Sequence, residues 1–321
     1  MVQKIYITGV AGFIGSNLAK ALLSEGYTVM GVDNFDPFYD RSIKEDNLRT
    51  CKSYADFSFM EGDIRDNSFL KNTFSGFNPD CVVHLAARAG VRPSIIDPES
   101  YFDVNVNGTL RVLETMKQSG IRKLIFASSS SVYGNNRKIP FSETDNVDYP
   151  VSPYAASKKA GELLCHTYHH LYDLDVFCMR FFTVYGPGQR PDLAINKFTK
   201  AILGNSEIPV YGDGTTSRDY THINDLVNGI TEAIRRVKGY EIFNLGNSSP
   251  VSLTNLVGLI EKFSGRKARL NFLPMQEGDV FRTYADITKA KEVLNYDPVT
   301  DIETGIRDYI DWFKSRMGNP L

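Results

Sequence analysis

A glycine-rich turn between a short strand and a helix, close to the N-terminus, limits the possible folds of this chain more than any other feature. The apolar run 4–8 predicts a strand, and Gly9-x-x-Gly12-x-x-Gly15 follows it directly. Apolar side chains then recur with helical spacing, so the order is strand, glycine turn, helix. Glycines let a backbone approach a pyrophosphate closely, and a helix N-terminus offers N–H groups to the anion. The turn therefore predicts an α/β fold that begins with a phosphate-binding element.

The segments after this turn extend the same pattern. A second predicted strand, residues 28–32, ends in Asp33. A carboxylate at this point accepts hydrogen bonds from adenosine ribose hydroxyls and repels a 2′-phosphate, which favours NAD over NADP. Asp63, after the third strand, is placed either to meet an adenine amino group or to cap a helix. The run 81–85 is continuously apolar, as in a parallel strand buried on both faces, and His84 within it is expected to be a core histidine.

The alternation of strands and helices predicts the domain organisation. Residues 1–182 are expected to form an NAD-binding domain with a doubly wound parallel sheet (Rossmann). From residue 183 the sequence becomes rich in loops, which predicts a smaller, interleaved C-terminal α/β substrate domain over 183–321. That domain is expected to consist mainly of 183–222 and 264–321, with a return crossing to the main sheet near 223–263.

Composition excludes several classes of partner. The chain has 321 residues, a net charge of -2 and no basic block, so neither nucleic acid nor an anionic membrane is an expected partner. Its longest apolar runs have the length of strands, which predicts no signal peptide and no membrane span. No metal site is expected from the sequence. The cysteines lack CxxC spacing and predict reduced residues of a cytoplasmic protein; they are Cys51, Cys81, Cys165 and Cys178.

The strongest pattern for chemistry combines the serine run 128–131 with Tyr154-x-x-x-Lys158. Tyr154 and Lys158 are four residues apart, so on a helix they share one face. A neighbouring positive charge favours the phenolate, and a tyrosine with a lowered pKa can act as a base at neutral pH. An isolated pair of this spacing is more often a solvated surface pair. Here the serines follow a predicted strand, 123–127, at the sheet edge where ligands bind in open parallel sheets.

These motifs together resemble the extended short-chain dehydrogenase/reductase family. Within that family, the chain resembles the NAD-dependent nucleotide-sugar epimerases, and most of all the UDP-glucuronic acid 4-epimerases. The resemblance spans essentially the whole chain. Besides the glycine turn, Asp33 and the Tyr154–Lys158 pair, the matching segments are 129–134 (SSSVYG), 212–220 (GDGTTSRDY), 278–279 (GD), 34–41 (NFDPFYDR), 183–192 (TVYGPGQRPD) and 274–279 (PMQEGD).

The resemblance implies 4-epimerisation of UDP-glucuronic acid to UDP-galacturonic acid through a transient 4-keto sugar, with tightly bound NAD, in a homodimer. Tyr154 would take the proton from the sugar 4-hydroxyl, Lys158 would hold the nicotinamide ribose, and Ser129 would bond the same sugar oxygen. A non-catalytic NAD-binding protein of this fold would be expected to lack Tyr154 or Lys158. The expected NAD contacts are Gly9, Gly12, Phe13, Ile14, Gly15, Asp33, Asn34, Asp63, Ile64, Leu85, Ala86, Ala87, Asn105, Tyr154 and Lys158.

The residues after Ser129 favour epimerisation over related reactions. Dehydratases of the family carry Asp-Glu, and decarboxylating relatives carry Glu, where this chain has Ser130 and Ser131. A 4-epimerase of neutral UDP-sugars such as UDP-glucose or UDP-N-acetylglucosamine is the alternative; a dehydratase or decarboxylase is a less favoured one. A 4-keto uronate is a β-keto acid that loses carbon dioxide readily, so its carboxylate must be restrained. We expect Ser130, Ser131, Thr183 and Arg190 to hold it.

The remaining substrate contacts are less specific. Arg92 is a second candidate for the carboxylate, and Arg190 has two alternative roles, as an exposed loop charge or a diphosphate ligand. Gln276 stands where glucose/galactose 4-epimerases place a phosphate-binding arginine. The resemblance assigns contacts with the diphosphate, the uracil and a ribose to Arg218, Tyr211 and Asp279, respectively.

Overall fold

A computed structural model of the chain describes residues 3–275 and 280–317. The strands are β1 (Lys4–Thr8), β2 (Thr28–Asp33), β3 (Phe57–Glu61), β4 (Cys81–His84), β5 (Lys123–Ser129), β6 (Asp175–Phe181), β7 (Thr183–Tyr185), β8 (Glu207–Tyr211), β9 (Ser217–His222), β10 (Tyr240–Leu245), β11 (Pro250–Ser252) and β12 (Arg269–Leu273). The α-helices are α1 (Phe13–Ser24), α2 (Arg41–Arg49), α3 (Asn67–Phe77), α4 (Val91–Ile96), α5 (Pro98–Phe102), α6 (Thr109–Ser119), α7 (Pro153–Tyr172), α8 (Ala194–Leu203), α9 (Ile223–Arg236), α10 (Leu253–Ser264), α11 (Thr288–Leu294) and α12 (Ile302–Met317).

The main sheet is parallel throughout, with the strand order β10-β6-β5-β4-β1-β2-β3. Successive side chains of β1 alternate between its faces: Ile5 and Ile7 enter one apolar cluster, and Tyr6 enters the other. The first cluster includes side chains of α1 and α9, and the second includes side chains of α3, α6 and α7. The predicted doubly wound α/β fold is therefore confirmed.

The second part of the chain has a core of its own. Two small sheets, with the orders β11-β9-β7 and β12-β8, lie beside an apolar cluster that includes Tyr185, Ile208 and Tyr309. Leu256 and Ile260 of α10 belong to this cluster. The return to the main sheet thus involves α9 and β10, whereas α10 packs with the second part, in contrast to the expected return over 223–263.

Two local features shape the site. Helix α7 begins at Pro153, because the Ser152 hydroxyl accepts the N–H of Ala155 at 3.1 Å and proline suits the first turn. Between α5 and α6 the backbone forms a π-helical turn at Asp103–Gly108. Such turns occur often at functional sites.

Three further observations concern the cysteines, membrane-spanning helices and metal ligands. All the cysteines are free and buried. In the parts of the chain that the structure describes, no helix is long and apolar enough to cross a membrane. Among the same residues, no group of His, Cys, Asp and Glu side chains could hold a metal ion.

Candidate active site

The glycine turn after β1 is packed so closely that side chains would not fit. Gly9 has a φ of +72°, and a Cβ atom there would lie 2.7 Å from the backbone nitrogen of Ala86. A Cβ at Gly15 would lie 2.4 Å from the carbonyl oxygen of Gly9. The N-cap of α1 is Gly12, so no side chain bonds the N–H groups of the first turn, which begins at Phe13. These features fit a dinucleotide pyrophosphate, as the sequence predicts.

Two carboxylates lie at the expected adenosine end. Asp33 is buried and accepts backbone N–H groups at 2.9 and 3.1 Å. Burial raises the pKa of Asp33, while the charge of Lys44 acts against that rise. Asp63 accepts hydrogen bonds from Arg65 and, at 2.9 Å, from the Asn34 amide, and chiefly the Arg65 bond lowers its pKa to about 2. Asp33 therefore contacts the glycine turn through the Ala11 N–H, whereas Asp63 is held by Arg65 and Asn34.

A buried histidine connects the strand ends beneath this turn. His84 Nδ1 lies 2.7 Å from the Thr8 hydroxyl, and Nε2 lies 3.0 Å from the Thr109 hydroxyl. Thr109 donates its own proton to the Asn105 carbonyl at 2.6 Å, so His84 Nε2 must donate to Thr109 and Nδ1 must accept from Thr8. Burial, followed by the charge of Lys158, lowers the pKa of His84 to about 3. His84 is a core residue, as predicted.

The other predicted cofactor residues differ in their surroundings. Leu85, Ala86 and Ala87 are partly exposed at the carboxyl end of the strand, and Ile64 packs against Gly108. Asn105, by contrast, is buried in the π-helical turn, and its amide is used within the protein. It donates to the Arg88 carbonyl at 3.0 Å and to the Ser157 hydroxyl at 2.9 Å, and it accepts the Arg88 N–H at 2.8 Å. Asn105 thus joins this loop to α7.

The catalytic candidates Tyr154 and Lys158 lie on α7, facing the end of β5. Burial raises the pKa of Tyr154, whereas a hydrogen bond with Ser129 and the charge of Arg190 act to lower it. Lys158 donates its ammonium to the Ala127 carbonyl at 2.8 Å, and burial lowers its pKa to about 8. Ser129 and Arg190 are thus the groups that act to lower the pKa of Tyr154 in this structure, and the same effect of Lys158 stays a prediction.

One residue that the sequence analysis does not identify, Ser94, holds the start of α7. The Ser94 hydroxyl accepts the backbone N–H of Tyr154 at 3.1 Å and donates to the Val91 carbonyl at 2.6 Å. This contact ties α4 to the catalytic helix. A serine sixty residues away in the sequence carries no signal of this role.

A cavity of about 160 Å³ opens next to Ser129. Its lining includes four of the predicted substrate residues, which are Ser130, Ser131, Thr183 and Arg218. The Ser129 hydroxyl lies 3.1 Å from that of Ser131, so Ser129 is bonded to the serine wall that Ser130 and Ser131 form along the cavity. Asp279 and Gln276 lie outside the described residues.

Three other predicted substrate residues, Arg190, Arg92 and Tyr211, lie outside the lining of this cavity. Arg190 is 18% exposed and therefore is not a free loop charge. Its Nε and Nη2 donate to Asp192 at 2.9 and 2.6 Å, and its guanidinium lies 5.2 Å from the Phe38 ring. Burial acts to lower the pKa of Arg190, but the hydrogen bond and charge of Asp192 together with Tyr39 and Tyr154 raise it overall. Arg92 lies over the Tyr211 ring at 4.7 Å, which brings two further predicted residues together.

Comparisons with known proteins agree with this geometry. A family model described as GDP-mannose 4,6 dehydratase matches residues 6–309. The chain is 45% identical to UDP-glucuronate 4-epimerase of Thermodesulfobacterium geofontis, over 97% of this chain and 96% of that protein. The structure of UDP-glucuronic acid 4-epimerase from Bacillus cereus with UDP-glucuronic acid and NAD matches with a TM-score of 0.93 and 36% identity, over 98% and 99% of the two chains. UDP-glucose 4-epimerase from Thermotoga maritima with UDP-glucose matches with a TM-score of 0.90 and 32% identity, over 98% and 100%. Since these matches extend over nearly the full length, the chain belongs to the nucleotide-sugar epimerases of the extended short-chain dehydrogenase/reductase family.

Proposed function

We propose that this chain is an NAD-dependent UDP-glucuronate 4-epimerase that forms UDP-galacturonate and retains the carboxylate. The observation that carries the proposal is the position of Tyr154, bonded to Ser129, beside a hydroxyl-lined cavity with Ser130, Ser131 and Thr183. A phenol at the edge of such a cavity can exchange a proton with a sugar hydroxyl. The similarity to UDP-glucuronate 4-epimerases supports the substrate.

NAD is the cofactor, and when bound it accepts a hydride from carbon 4 of the sugar and returns it. The turn at Gly9 and Gly15 would hold its pyrophosphate, and Asp33 its adenosine ribose. Lys158 would hold the nicotinamide ribose; its ammonium is buried and already fixed by the Ala127 carbonyl. These residues fit the cofactor because the close packing at the glycines admits a backbone-bound anion and no side chain.

Tyr154 would take the proton of the sugar 4-hydroxyl and later return it. Its phenolate would be stabilised by the Ser129 hydroxyl and by the positive charge of Arg190, the two groups that act against the effect of burial on its pKa. Because epimerisation requires the same group to act as base and then as acid, a pKa near the working pH is favourable. The keto sugar must turn between the two steps so that its other face receives the hydride.

Retention of the carboxylate follows from the same wall of the cavity. A 4-keto uronate loses carbon dioxide when its carboxylate bond stands perpendicular to the carbonyl plane. Ser130, Ser131 and Thr183 present hydroxyls that can hold the carboxylate away from that orientation. Arg190 adds a guanidinium whose position is fixed by Asp192. Serines in place of acids also leave no group for a second proton transfer, which argues against a dehydratase or decarboxylase.

The proposal is tested by incubating the purified protein with UDP-glucuronate and no added NAD, with product analysis by NMR. We expect UDP-galacturonate without a UDP-pentose. Tyr154→Phe should reduce kcat by about two to four orders of magnitude while NAD stays bound. Arg190→Ala should reduce turnover of UDP-glucuronate more than it affects the Tyr154 proton transfer. An unchanged rate of the Arg190 variant would contradict its assignment.

One observation favours 4-epimerisation of a neutral UDP-sugar as a second candidate. The Nε and Nη2 groups of Arg190 are already paired with Asp192, so its charge is balanced without a substrate carboxylate. Parallel assays with UDP-glucose and UDP-N-acetylglucosamine distinguish the two functions. A larger kcat/KM for either neutral sugar than for UDP-glucuronate would replace the first proposal with the second.

A homodimer is proposed through α5 and α7, which lie side by side, with the rings of Tyr101 and Tyr154 6.2 Å apart. These helices expose large apolar side chains: Phe102 is 42%, Leu163 57% and Leu171 59% exposed. Light scattering should give twice the mass of the chain. Leu163→Glu should give a monomer, whereas Val299→Glu, a control at a site that is 78% exposed, should not.

A cytoplasmic location is proposed from the cysteines. All of them are free and buried, which fits a reducing compartment. Fractionation of cells that express the tagged chain tests this location, and recovery outside the cytoplasmic fraction would contradict it.

A further inference from the structure

A chain of buried hydrogen bonds lies directly behind the serine wall, and the proposed function gives it no part. Glu162 of α7 and Arg180 of β6 are each only 1% exposed. Arg180 Nε and Nη2 donate to the two Glu162 oxygens, both at 2.9 Å, and the Ser128 hydroxyl donates to Glu162 at 2.6 Å. Arg180 Nη1 donates to the Tyr133 hydroxyl at 2.9 Å, and Tyr133 donates to Asn244 Oδ1 at 2.7 Å.

The far end of this chain is anchored as firmly as its start. Asn244 lies on β10, and its amide nitrogen donates to the carbonyls of Phe141 and Asp286 at 2.9 and 3.0 Å. Tyr133 is stacked on Phe141 with ring centroids 4.8 Å apart. The tyrosine hydroxyl is therefore fixed from both sides, by a charged donor and by an amide acceptor.

This chain of hydrogen bonds connects the catalytic helix α7 with the serine turn. Glu162 is four residues after Lys158 and eight after Tyr154, so all three lie on one face of α7. Tyr133 ends the short 3-10 turn Ser130–Tyr133, whose serines line the cavity. The catalytic helix and the serine turn are thus joined through Arg180.

A buried ion pair adds little net stability compared with apolar side chains of similar volume, so stability alone does not account for this chain of hydrogen bonds. What it provides is orientation, because a bidentate pair fixes angle as well as distance. The serine turn needs such orientation, since misplacing a reacting group by about 1 Å can cost about 100-fold in rate.

We propose that Tyr133, held between Arg180 and Asn244, is a positioning residue that fixes Ser129, Ser130 and Ser131 against Tyr154. Since the inference rests on the proposed function, it concerns how the 4-keto uronate is restrained. When the serine turn shifts, the carboxylate leaves as carbon dioxide, its bonding electrons stay on carbon 5, and that carbon takes a proton. The hydride is then not returned, so each such event leaves one UDP-4-keto-pentose and one NADH.

The test compares wild type with Tyr133→Phe, which removes only the hydroxyl. Tyr309→Phe is the matched control, because Tyr309 is fully buried and its hydroxyl has no hydrogen-bond partner among the described residues. Each protein is given UDP-glucuronate, and UDP-galacturonate, UDP-4-keto-pentose and NADH are followed over time, with kcat and KM measured separately. Thermal melting shows whether each variant is folded.

For Tyr133→Phe we expect kcat to fall about 10-fold, with a smaller change in KM and a clear rise in the fraction of UDP-4-keto-pentose and NADH. Tyr309→Phe should match wild type in both rate and product ratio. Ser128→Ala, which removes the link between β5 and Glu162, should change the product ratio in the same direction and decides the question if Tyr133→Phe does not fold.

Wild-type kcat and product ratio in both Tyr133→Phe and Ser128→Ala would overturn the inference, as would an equal change in Tyr309→Phe. A wild-type protein that forms no UDP-galacturonate would instead overturn the proposed function. In that case the same kcat comparison is made with UDP-glucose, where a 10-fold loss confined to Tyr133→Phe and Ser128→Ala would still support positioning.

Discussion

Acidification should destabilise the protein through His84, and the size of the effect follows from its surroundings. Burial lowers the pKa of His84 to about 3, while an unfolded histidine keeps a value of about 6.5. Between these two values the unfolded chain binds more protons than the folded chain, so stability falls as the pH drops below about 6.5 and stops falling below about 3. From pH 7 to pH 4.5 this one group should cost about 2–3 kcal/mol.

The physical reason is the hydrogen bonding of the neutral ring. Nδ1 accepts from Thr8, whose oxygen already receives the Ala86 N–H at 3.1 Å, so a proton on Nδ1 leaves the Thr8 hydroxyl without its acceptor. The hydrogen bond from Thr8 to His84, which joins the ends of β1 and β4, would be lost. The glycine turn follows directly after Thr8.

Urea unfolding followed by circular dichroism, at fixed NAD concentration, measures the effect between pH 7 and pH 4.5. His84→Gln has no titrating ring and should lose about 2–3 kcal/mol less than wild type over this range, although it is less stable at pH 7. His170→Gln, a control at an exposed site on α7, should follow wild type. Equal losses in wild type and His84→Gln would show that His84 titrates normally in the folded protein, and would refute the argument.

Three further predictions concern the cofactor turn, the lysine and the buried ion pair. Gly9→Ala would place a Cβ atom 2.7 Å from a backbone nitrogen, at a residue whose φ is +72°, and should abolish retention of NAD. Bound NAD is measured by its release on denaturation. The control Gly76→Ala, at a site with open space around it, should retain NAD fully. Burial lowers the pKa of Lys158 to about 8, so Lys158 loses its charge above that pH and the kcat of the wild type should decline. The residual activity of Lys158→Arg should not decline over the same pH range, because arginine keeps its charge. A decline in both proteins would mean that another group causes the pH dependence. Glu162→Gln should lower the free energy of unfolding by about 3–5 kcal/mol, because Arg180 is left buried with its charge uncompensated; a loss below about 1 kcal/mol in urea would contradict this.

The parts of this fold that the sequence predicts are those that depend on neighbouring residues. The glycine turn and the first turn of α7 follow from local backbone requirements, and the strands of the main sheet follow from short apolar runs. Tyr154 and Lys158 share a helix face because of their spacing alone. For these elements, local chemistry and tertiary structure agree.

What the sequence does not predict depends on contacts between distant segments. The pKa of Tyr154 is set by burial and by Ser129 and Arg190, which come from other elements of the fold. The π-helical turn at Asp103–Gly108 has no hydrophobic period of its own, so the pattern indicates an unbroken helix there.

The late arrival of β10 has a consequence for synthesis on the ribosome. Residues 1–182 contain the glycine turn, the catalytic helix and six of the seven strands, but β6 is left as an open edge until residues 240–245 have been made. Asn244, which holds Tyr133, arrives only with that last strand. A truncated N-terminal half would therefore be prone to aggregation through this open edge and would lack part of the active site. A gene divided at residue 182 would yield a fragment that must bind the other half in trans before it can turn over a sugar.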